Sequence, residues 1–204
     1  MKLSQIFTAP NQLTLLRMVF VPFIVIELVD SRYFWALVLF IIAGFSDGLD
    51  GLLARKLHQQ TLLGQYLDPI ADKLLLSTMF LVLSILHQSG RPLIPWKFTV
   101  LVFSRDTSIL AASAVLFAIA GLRNFRPSIF GKANTFSQIA AVFFVLLFAI
   151  RPARWVWITR TVFLRATFAF TIISALHYVL LVQQRLRSHT HALPAHTPAD
   201  ISAS

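Results

Sequence analysis

The sequence predicts an all-α integral membrane protein, six transmembrane helices preceded by a short interfacial helix. Three observations predict it. Of 204 residues, 57% are hydrophobic and only 13% charged, with a mean hydropathy of +0.74, whereas soluble domains carry charge on about a quarter of their residues. Apolar stretches recur at close to the roughly 20 residues that a helix needs to cross a hydrocarbon core about 30 Å thick. The basic residues fall mostly between these stretches instead of gathering into a patch.

Taken in order, Leu3 to Asn11 mixes apolar and polar positions and ends in Pro-Asn, which fits either a helix lying in the membrane interface or a frayed terminus. The six spans follow at approximately Gln12–Val29, Tyr33–Leu57, Tyr66–His87, Trp96–Gly121, Phe130–Ile150 and Trp155–Val182. The length allows one domain. The membrane domain is expected over 1–187, followed by a polar tail, 188–204, that lacks periodicity and is expected to be disordered. His189, His191 and His196 in that tail read as solvated rather than as metal ligands. The first apolar run continues past any plausible processing site, so the N-terminus is expected to be mature.

Charge sets the orientation. With both termini cytoplasmic, that side collects Lys2, Arg55, Lys56, Arg123, Arg126, Lys132, Arg185 and Arg187, against Arg32, Arg91, Lys97, Arg151 and Arg154 opposite. A net charge of +10 without a soluble basic face argues against a nucleic-acid partner and for anionic lipid or a phosphate-bearing substrate. Cysteine is absent from the chain, so thiolate-ligated metals are excluded and oxygen ligation of hard cations such as Mg²⁺ or Mn²⁺ is favoured.

Acidic residues are scarce, and their placement is the main functional clue. Asp47, Asp50, Asp68 and Asp72 are four of the eight acids in the chain, and all lie between Ser46 and Lys73, in SDGLDGLLARKLHQQTLLGQYLDPIADK. Asp47 and Asp50 are spaced i, i+3 and Asp68 and Asp72 i, i+4, so each pair shares a helix face. Ionised carboxylates beside a bilayer are costly unless they bind cations or one another. Two such pairs on adjacent antiparallel helices supply enough oxygen for two divalent cations, an arrangement suited to a pyrophosphate and to phosphoryl-group transfer. A structural charge cluster and the ion site of a cation transporter are the competing readings. Neither requires Gly51, Ala54, Arg55 and Gly64 at their spacings, and the second half of the chain holds no counterpart of the window, as a transporter repeat would.

The pattern D-x₂-D-G-x₂-A-R-x₈-G-x₃-D-x₃-D, filled by Asp47, Asp50, Gly51, Ala54, Arg55, Gly64, Asp68 and Asp72, closely resembles the signature of the CDP-alcohol phosphatidyltransferase family. That resemblance implies an enzyme of phospholipid biosynthesis. It moves a phosphatidyl group from CDP-diacylglycerol to an alcohol and releases CMP. It further implies that Asp47, Asp50, Asp68 and Asp72 ligate two divalent cations and that Asp72 is the general base. Asp47, Gly51, Ala54, Arg55 and Gly64 are then expected to bind CDP-diacylglycerol. Small residues after Asp50 let a nucleotide approach the helix, Arg55 is suited to bidentate phosphate contact, and Gly64 is expected to break the link between the two helices. The family is typically dimeric, so a homodimer is expected.

The acceptor is read from other segments. DPIADK (Asp68 to Lys73) and the N-x-x-T-x-x-R of Asn11, Thr14 and Arg17 resemble the branch that makes phosphatidylglycerophosphate and cardiolipin. Ser104-Arg105-Asp106 and GKANTFSQ (Gly131 to Gln138) lean toward the cardiolipin synthases, because Asn134 stands where phosphatidylglycerophosphate synthases commonly place a second lysine. Glycerol-3-phosphate is the leading acceptor and phosphatidylglycerol the alternative. Arg105 and Lys132 are candidate phosphate-binding residues, although Arg105 and Asp106 also suit an ion pair between helices. Arg160 and Arg165 either join the acceptor pocket or snorkel to an interface. The nineteen Phe and four Trp fit lipid-facing surfaces and interfacial belts, with Trp96, Trp155 and Trp157 at span ends. The small residues Ala111 to Ala114 suit close helix contact.

Overall fold

The computed structural model describes the backbone over 9–57, 62–120 and 129–191, with side chains described over 16–46, 71, 73–108 and 131–176. Six helices form in this order: α1 (Ala9–Val29), α2 (Tyr33–Leu57), α3 (Leu62–Ile85), α4 (Trp96–Ala120), α5 (Ile129–Ile150) and α6 (Arg154–His191). Two short strands, β1 (His87–Gln88) and β2 (Arg91–Pro92), connect α3 to α4. Among the described residues two segments are long and apolar enough to cross a membrane, Gly131–Ile150 with mean hydropathy 1.9 and Arg154–Leu176 with 1.4.

Several expected boundaries move. Pro10 and Asn11 lie in the first turn of α1, where an amide hydrogen would find no intrahelical acceptor and proline is therefore tolerated; the rest of the segment expected at the interface, 3–8, lies outside the described residues. The third helix stops at Ile85, because His87 and Gln88 pair antiparallel with Pro92 and Arg91. Ser89 (φ 54°) and Gly90 (φ 76°) form the turn between these strands. Two successive positive φ angles match the turns whose twist suits a hairpin. The backbone helix of α6 reaches His191, past the boundary expected at 187, and 192–204 lie outside the described residues.

The link from α1 to α2 has no glycine. Ser31 adopts φ 60°, the Arg32 amide donates to the Glu27 carbonyl at 2.8 Å, and the Ser31 amide donates to the Leu28 carbonyl at 3.0 Å. This is the Schellman arrangement, with serine in the left-handed position that glycine usually takes.

α5 packs most extensively against α6, α1 bridges α2 and α3, α4 leans on α6 and α3, and α2 also meets α5. The shared core is aliphatic and aromatic, with Ile24, Leu28, Phe80, Leu83, Val145 and Leu146 fully buried. Polar side chains inside the bundle bond across helices or to their own backbone, as a medium without water requires. On the α5–α6 seam the Thr167 hydroxyl donates to Ser137 Oγ at 3.1 Å, and the Thr171 hydroxyl donates to Asn134 Oδ1 at 3.0 Å. Between α3 and α4, the Ser84 hydroxyl donates to the Phe80 carbonyl at 2.8 Å and accepts from the Thr99 hydroxyl, which also lies within reach of that carbonyl.

Outward-facing positions carry large apolar side chains, among them Phe23, Trp35, Val100 and Leu176. All four tryptophans, Trp35, Trp96, Trp155 and Trp157, lie exposed near the starts of α2, α4 and α6. These three helix starts mark the bundle end opposite the aspartate window, and a ring of indoles there suits a membrane interface. Ala111 to Ala114 lie on α4, with side chains outside the described residues.

Candidate active site

The aspartate window occupies the facing ends of two consecutive helices. Asp47, Asp50, Gly51, Ala54 and Arg55 fall in the last turns of α2; Gly64, Asp68 and Asp72 fall in the first turns of α3. Their side chains lie outside the described residues. Gly64 does not break the link as expected: it sits inside the first turn of α3, which starts at Leu62. A glycine costs little there, because the first helical amides have no intrahelical partner in any case.

α2 and α3 do not form one of the main helix contacts among the described residues; α1 packs against both. They face each other across a cavity of about 710 Å³, walled by α2 at Gly44 and Phe45, by α3 at Leu75 and Leu76, and by α5 at Phe136 and Ile139. Gly44 precedes Asp47, and Leu75 follows Asp72, by three residues, about 4.5 Å along each axis. The aspartate ends of both helices therefore adjoin one end of the cavity. A Cβ built on Gly44 meets nothing within 4 Å. Phe45 and Phe136 are 71% and 68% exposed, so the cavity opens sideways, toward the side of the bundle where lipid would lie. Its lining is almost wholly apolar except for Thr135 and Arg17, whose side chain is only 1% exposed. Arg17 was legible in the sequence only as part of N-x-x-T-x-x-R, and its position in the cavity wall is a tertiary result.

A second polar locus lies on the α4 side of α3. Lys73, the residue after Asp72, places Nζ 2.8 Å from Asp106 Oδ1, and Arg105 Nη1 donates to the same oxygen at 2.6 Å. Arg105 Nη2 donates to Ser174 Oγ on α6 at 3.0 Å, while Arg105 Nε is buried without a partner. The ion pair between helices is thus formed, with Lys73 as the partner on α3. Lys73 and Ser174 were not singled out in the sequence, although a lone cation next to an aspartate in an apolar run was a usable signal.

The other acceptor candidates are not all brought here. Lys132 is exposed near the start of α5, two residues before Asn134, whose partner Thr171 lies three residues before Ser174 on α6. Lys132 therefore shares the level of Arg105 in the bundle. Arg160 does not: it stacks its guanidinium over Phe148, 4.9 Å from the ring centroid. It precedes Ser174 by 14 residues, about 21 Å of helix. Arg165 is exposed and lies about 13 Å of helix from Ser174. Asn134 is fully buried on the α5–α6 seam, its Nδ2 without a partner, so it stands where a lysine ammonium would need an anion or a route to water.

A hard divalent cation fits the donor set of the window, four carboxylates on the adjoining ends of two helices in a chain with no thiol. Among the described residues, which do not include the side chains of the window, no group of three or more His, Asp or Glu gathers.

The sequence profile described as CDP-alcohol phosphatidyltransferase matches residues 7–173. The chain belongs to the CDP-alcohol phosphatidyltransferase family. The matched stretch takes in every helix up to the level of Arg105 and Ser174 on α6, and leaves out the rest of α6. Among similar proteins, a putative cardiolipin synthase of Mycobacterium tuberculosis is 32% identical over 145 residues, 71% of this chain and 66% of that protein. The stretch thus spans just under two thirds of that relative's length. The CDP-diacylglycerol–glycerol-3-phosphate 3-phosphatidyltransferase of Aquifex aeolicus is 37% identical over 126 residues, 62% of this chain and 68% of its own. A probable phosphatidylglycerophosphate synthase of M. tuberculosis is 31% identical over 182 residues, 86% of this chain and 82% of its own. The names of these relatives thus include both phosphatidylglycerophosphate and cardiolipin synthases.

Proposed function

We propose that this phosphatidyltransferase transfers the phosphatidyl group of CDP-diacylglycerol to glycerol-3-phosphate and releases CMP. The observation that carries the proposal is the complete aspartate signature on the adjoining ends of α2 and α3, next to a laterally open apolar cavity. A lipid-linked nucleotide has one polar and one apolar half. The window receives the nucleotide and its phosphates, with Gly51 and Ala54 leaving room for it and Arg55 holding a phosphate. The cavity takes acyl chain entering past Phe45 and Phe136.

Asp47, Asp50, Asp68 and Asp72 would hold two Mg²⁺ or Mn²⁺ ions, which would supply charge neutralisation for the pyrophosphate and acidify the acceptor hydroxyl. Arg105 and Lys132 receive the acceptor phosphate on the α4–α5 side. Asp72 takes the acceptor proton. A bond forms from the acceptor oxygen to the phosphorus that carries diacylglycerol, the bond from that phosphorus to the CMP oxygen breaks, and CMP departs with the electron pair.

One observation favours phosphatidylglycerol as a second acceptor. Position 134 carries a neutral amide turned onto Thr171, which leaves one cation fewer for a phosphate monoester than the lysine of phosphatidylglycerophosphate synthases would. Radiolabelled CDP-diacylglycerol with Mg²⁺ and a panel of acceptors, products identified by mass spectrometry, decides between the two. Phosphatidylglycerophosphate is the expected product, cardiolipin supports the second acceptor, and absence of CMP release with every acceptor refutes the phosphatidyltransferase reading.

The membrane setting belongs to the same proposal: six spanning helices, a homodimer in a bacterial inner membrane, and the window facing the cytoplasm. The basic residues favour that orientation. The region 1–187 acts as the membrane domain and 188–204 as its tail. Acyl occupancy of the cavity has its own test. Gly44→Leu projects a side chain into open space and is expected to raise the KM for long-chain CDP-diacylglycerol about tenfold, in line with displaced apolar contact of about 1.4 kcal/mol. An unchanged KM in the correctly folded variant places the acyl chains elsewhere.

A further inference from the structure

The ion pair between α3 and α4 sits where it governs the catalytic helix. α3 is tied to α4 at two heights among the described residues. The upper tie is the cluster of Ser84, Thr99 and the Phe80 carbonyl; the lower is Lys73 to Asp106. Ser84 and Lys73 are eleven residues apart, about 16 Å of helix. Two ties that far apart fix both the tilt of α3 and its rotation about its own axis.

The rotation matters because of sequence adjacency. Lys73 follows Asp72 directly, so the two side chains leave the helix about 100° apart. Whatever holds the Lys73 ammonium therefore sets the direction in which Asp72 leaves the helix. Catalytic groups need to be held within about 0.5 Å or 10–20° of their working geometry, and the apolar packing of α3 on α1 is non-directional where an ion pair is not.

Asp106 is well placed for this task. Its side chain is 17% exposed and that of Arg105 11%, and one oxygen, Oδ1, accepts from both Lys73 Nζ and Arg105 Nη1. Arg105 is held in turn by Ser174, so the carboxylate is anchored to α6 as well as to its own helix. A carboxylate on a partly buried helix face is costly without cations, and here two converge on it.

We propose that Asp106 is a positioning residue, which through Lys73 locks the α3 turn bearing Asp72 in register with α2. This rests on the reading of Asp72 as a metal-binding and proton-accepting group.

The test uses the full chain in detergent or proteoliposomes, with CMP release followed across a Mg²⁺ titration and Mn²⁺ binding measured directly by electron paramagnetic resonance without substrate, where loss of the charge pair is expected to weaken binding about tenfold. Lys73→Met and Asp106→Asn are each expected to lower kcat about 10–100-fold and to raise the half-activating Mg²⁺ concentration about tenfold, as loss of a partner that orients metal ligands does. Lys73→Arg and Asp106→Glu, which keep the charge pair, are expected to recover at least about half of the wild-type rate. The double variant K73M/D106N is expected to lose no more than about the worse single variant, since both remove one contact.

An unchanged half-activating Mg²⁺ concentration in both single variants overturns the proposal, as do multiplicative losses in the double variant. Should Asp106→Asn fail to fold, Lys73→Met, which leaves the Arg105–Asp106 bond in place, carries the test alone. Wild-type activity that is indifferent to chelation brings down the underlying metal reading instead, whereas a metal-dependent wild type with unaltered variants brings down only the positioning role.

Discussion

Asp72→Asn is expected to abolish turnover almost completely while leaving CDP-diacylglycerol binding largely intact. Asparagine has nearly the same shape as aspartate and keeps one carbonyl oxygen, but it cannot take the proton of the acceptor hydroxyl. General-base groups contribute roughly 10²–10⁴-fold to rate, and a loss of that size in kcat is the expected reading. The measurement pairs steady-state CMP release with equilibrium binding of labelled CDP-diacylglycerol. A variant as active as wild type removes Asp72 from the role of base. One that loses binding and turnover together makes it a ligand for the donor instead. The same pair of measurements on Asp47→Asn is a useful contrast, since loss of donor binding is expected there.

Removal of divalent cations is the second large effect. With EDTA in excess, activity is expected to fall by at least about 10²-fold, because Lewis-acid stabilisation of phosphoryl charge supplies several kcal/mol, and to return on addition of Mg²⁺ or Mn²⁺. Ca²⁺ is a sensitive comparison. It takes 6–8 oxygen ligands at longer distances in flexible geometry, whereas Mg²⁺ demands a tight octahedron, so binding without turnover is the expected result. Full activity in EDTA would leave the four carboxylates without their proposed purpose and would favour a structural charge cluster.

These two effects come from the part of the protein that was most legible in the linear chain. Carboxylates are rare in an apolar sequence for a physical reason, so four at helical spacings stand out without any knowledge of the fold. Helix α2 also follows the expectation, Tyr33 to Leu57, because its start at a Ser-Arg turn and its apolar run are local features. Other boundaries depended on tertiary or turn chemistry. His87 reads as the end of a span by hydropathy, yet Ser89 and Gly90 take positive φ and fold it into a hairpin. The Ser-Gly dipeptide was the available signal. The Gln88 side chain then donates to the Ala149 carbonyl at the end of α5, a contact across 61 positions that no local pattern encodes.

The arginines show the same division more sharply. Arg105, Arg160 and Arg165 look alike as cations inside long apolar helices, and spacing alone cannot rank them. In the folded chain Arg105 reaches Asp106 and Ser174 beside the start of α3, whereas Arg160 lies on Phe148 near the opposite end of the bundle. Helix length decides this, because α5 and α6 run antiparallel and each residue back along α6 from Ser174 lies about 1.5 Å farther from the site.

By itself, the sequence determined the family and the placement of its acidic signature. Its composition set the apolar medium, and the spacing of Asp47, Asp50, Asp68 and Asp72 set the carboxylates on two helix faces, both of which are properties of the chain taken locally. Only the tertiary structure decided what surrounds them. That α2, α3 and α5 line one cavity with Arg17 in its wall, and that Lys73 is held by Asp106 while Arg160 is left far away, follow from how six helices pack. Contacts between residues 33 or 69 positions apart in the chain are set by packing as a whole, since no short window contains both partners.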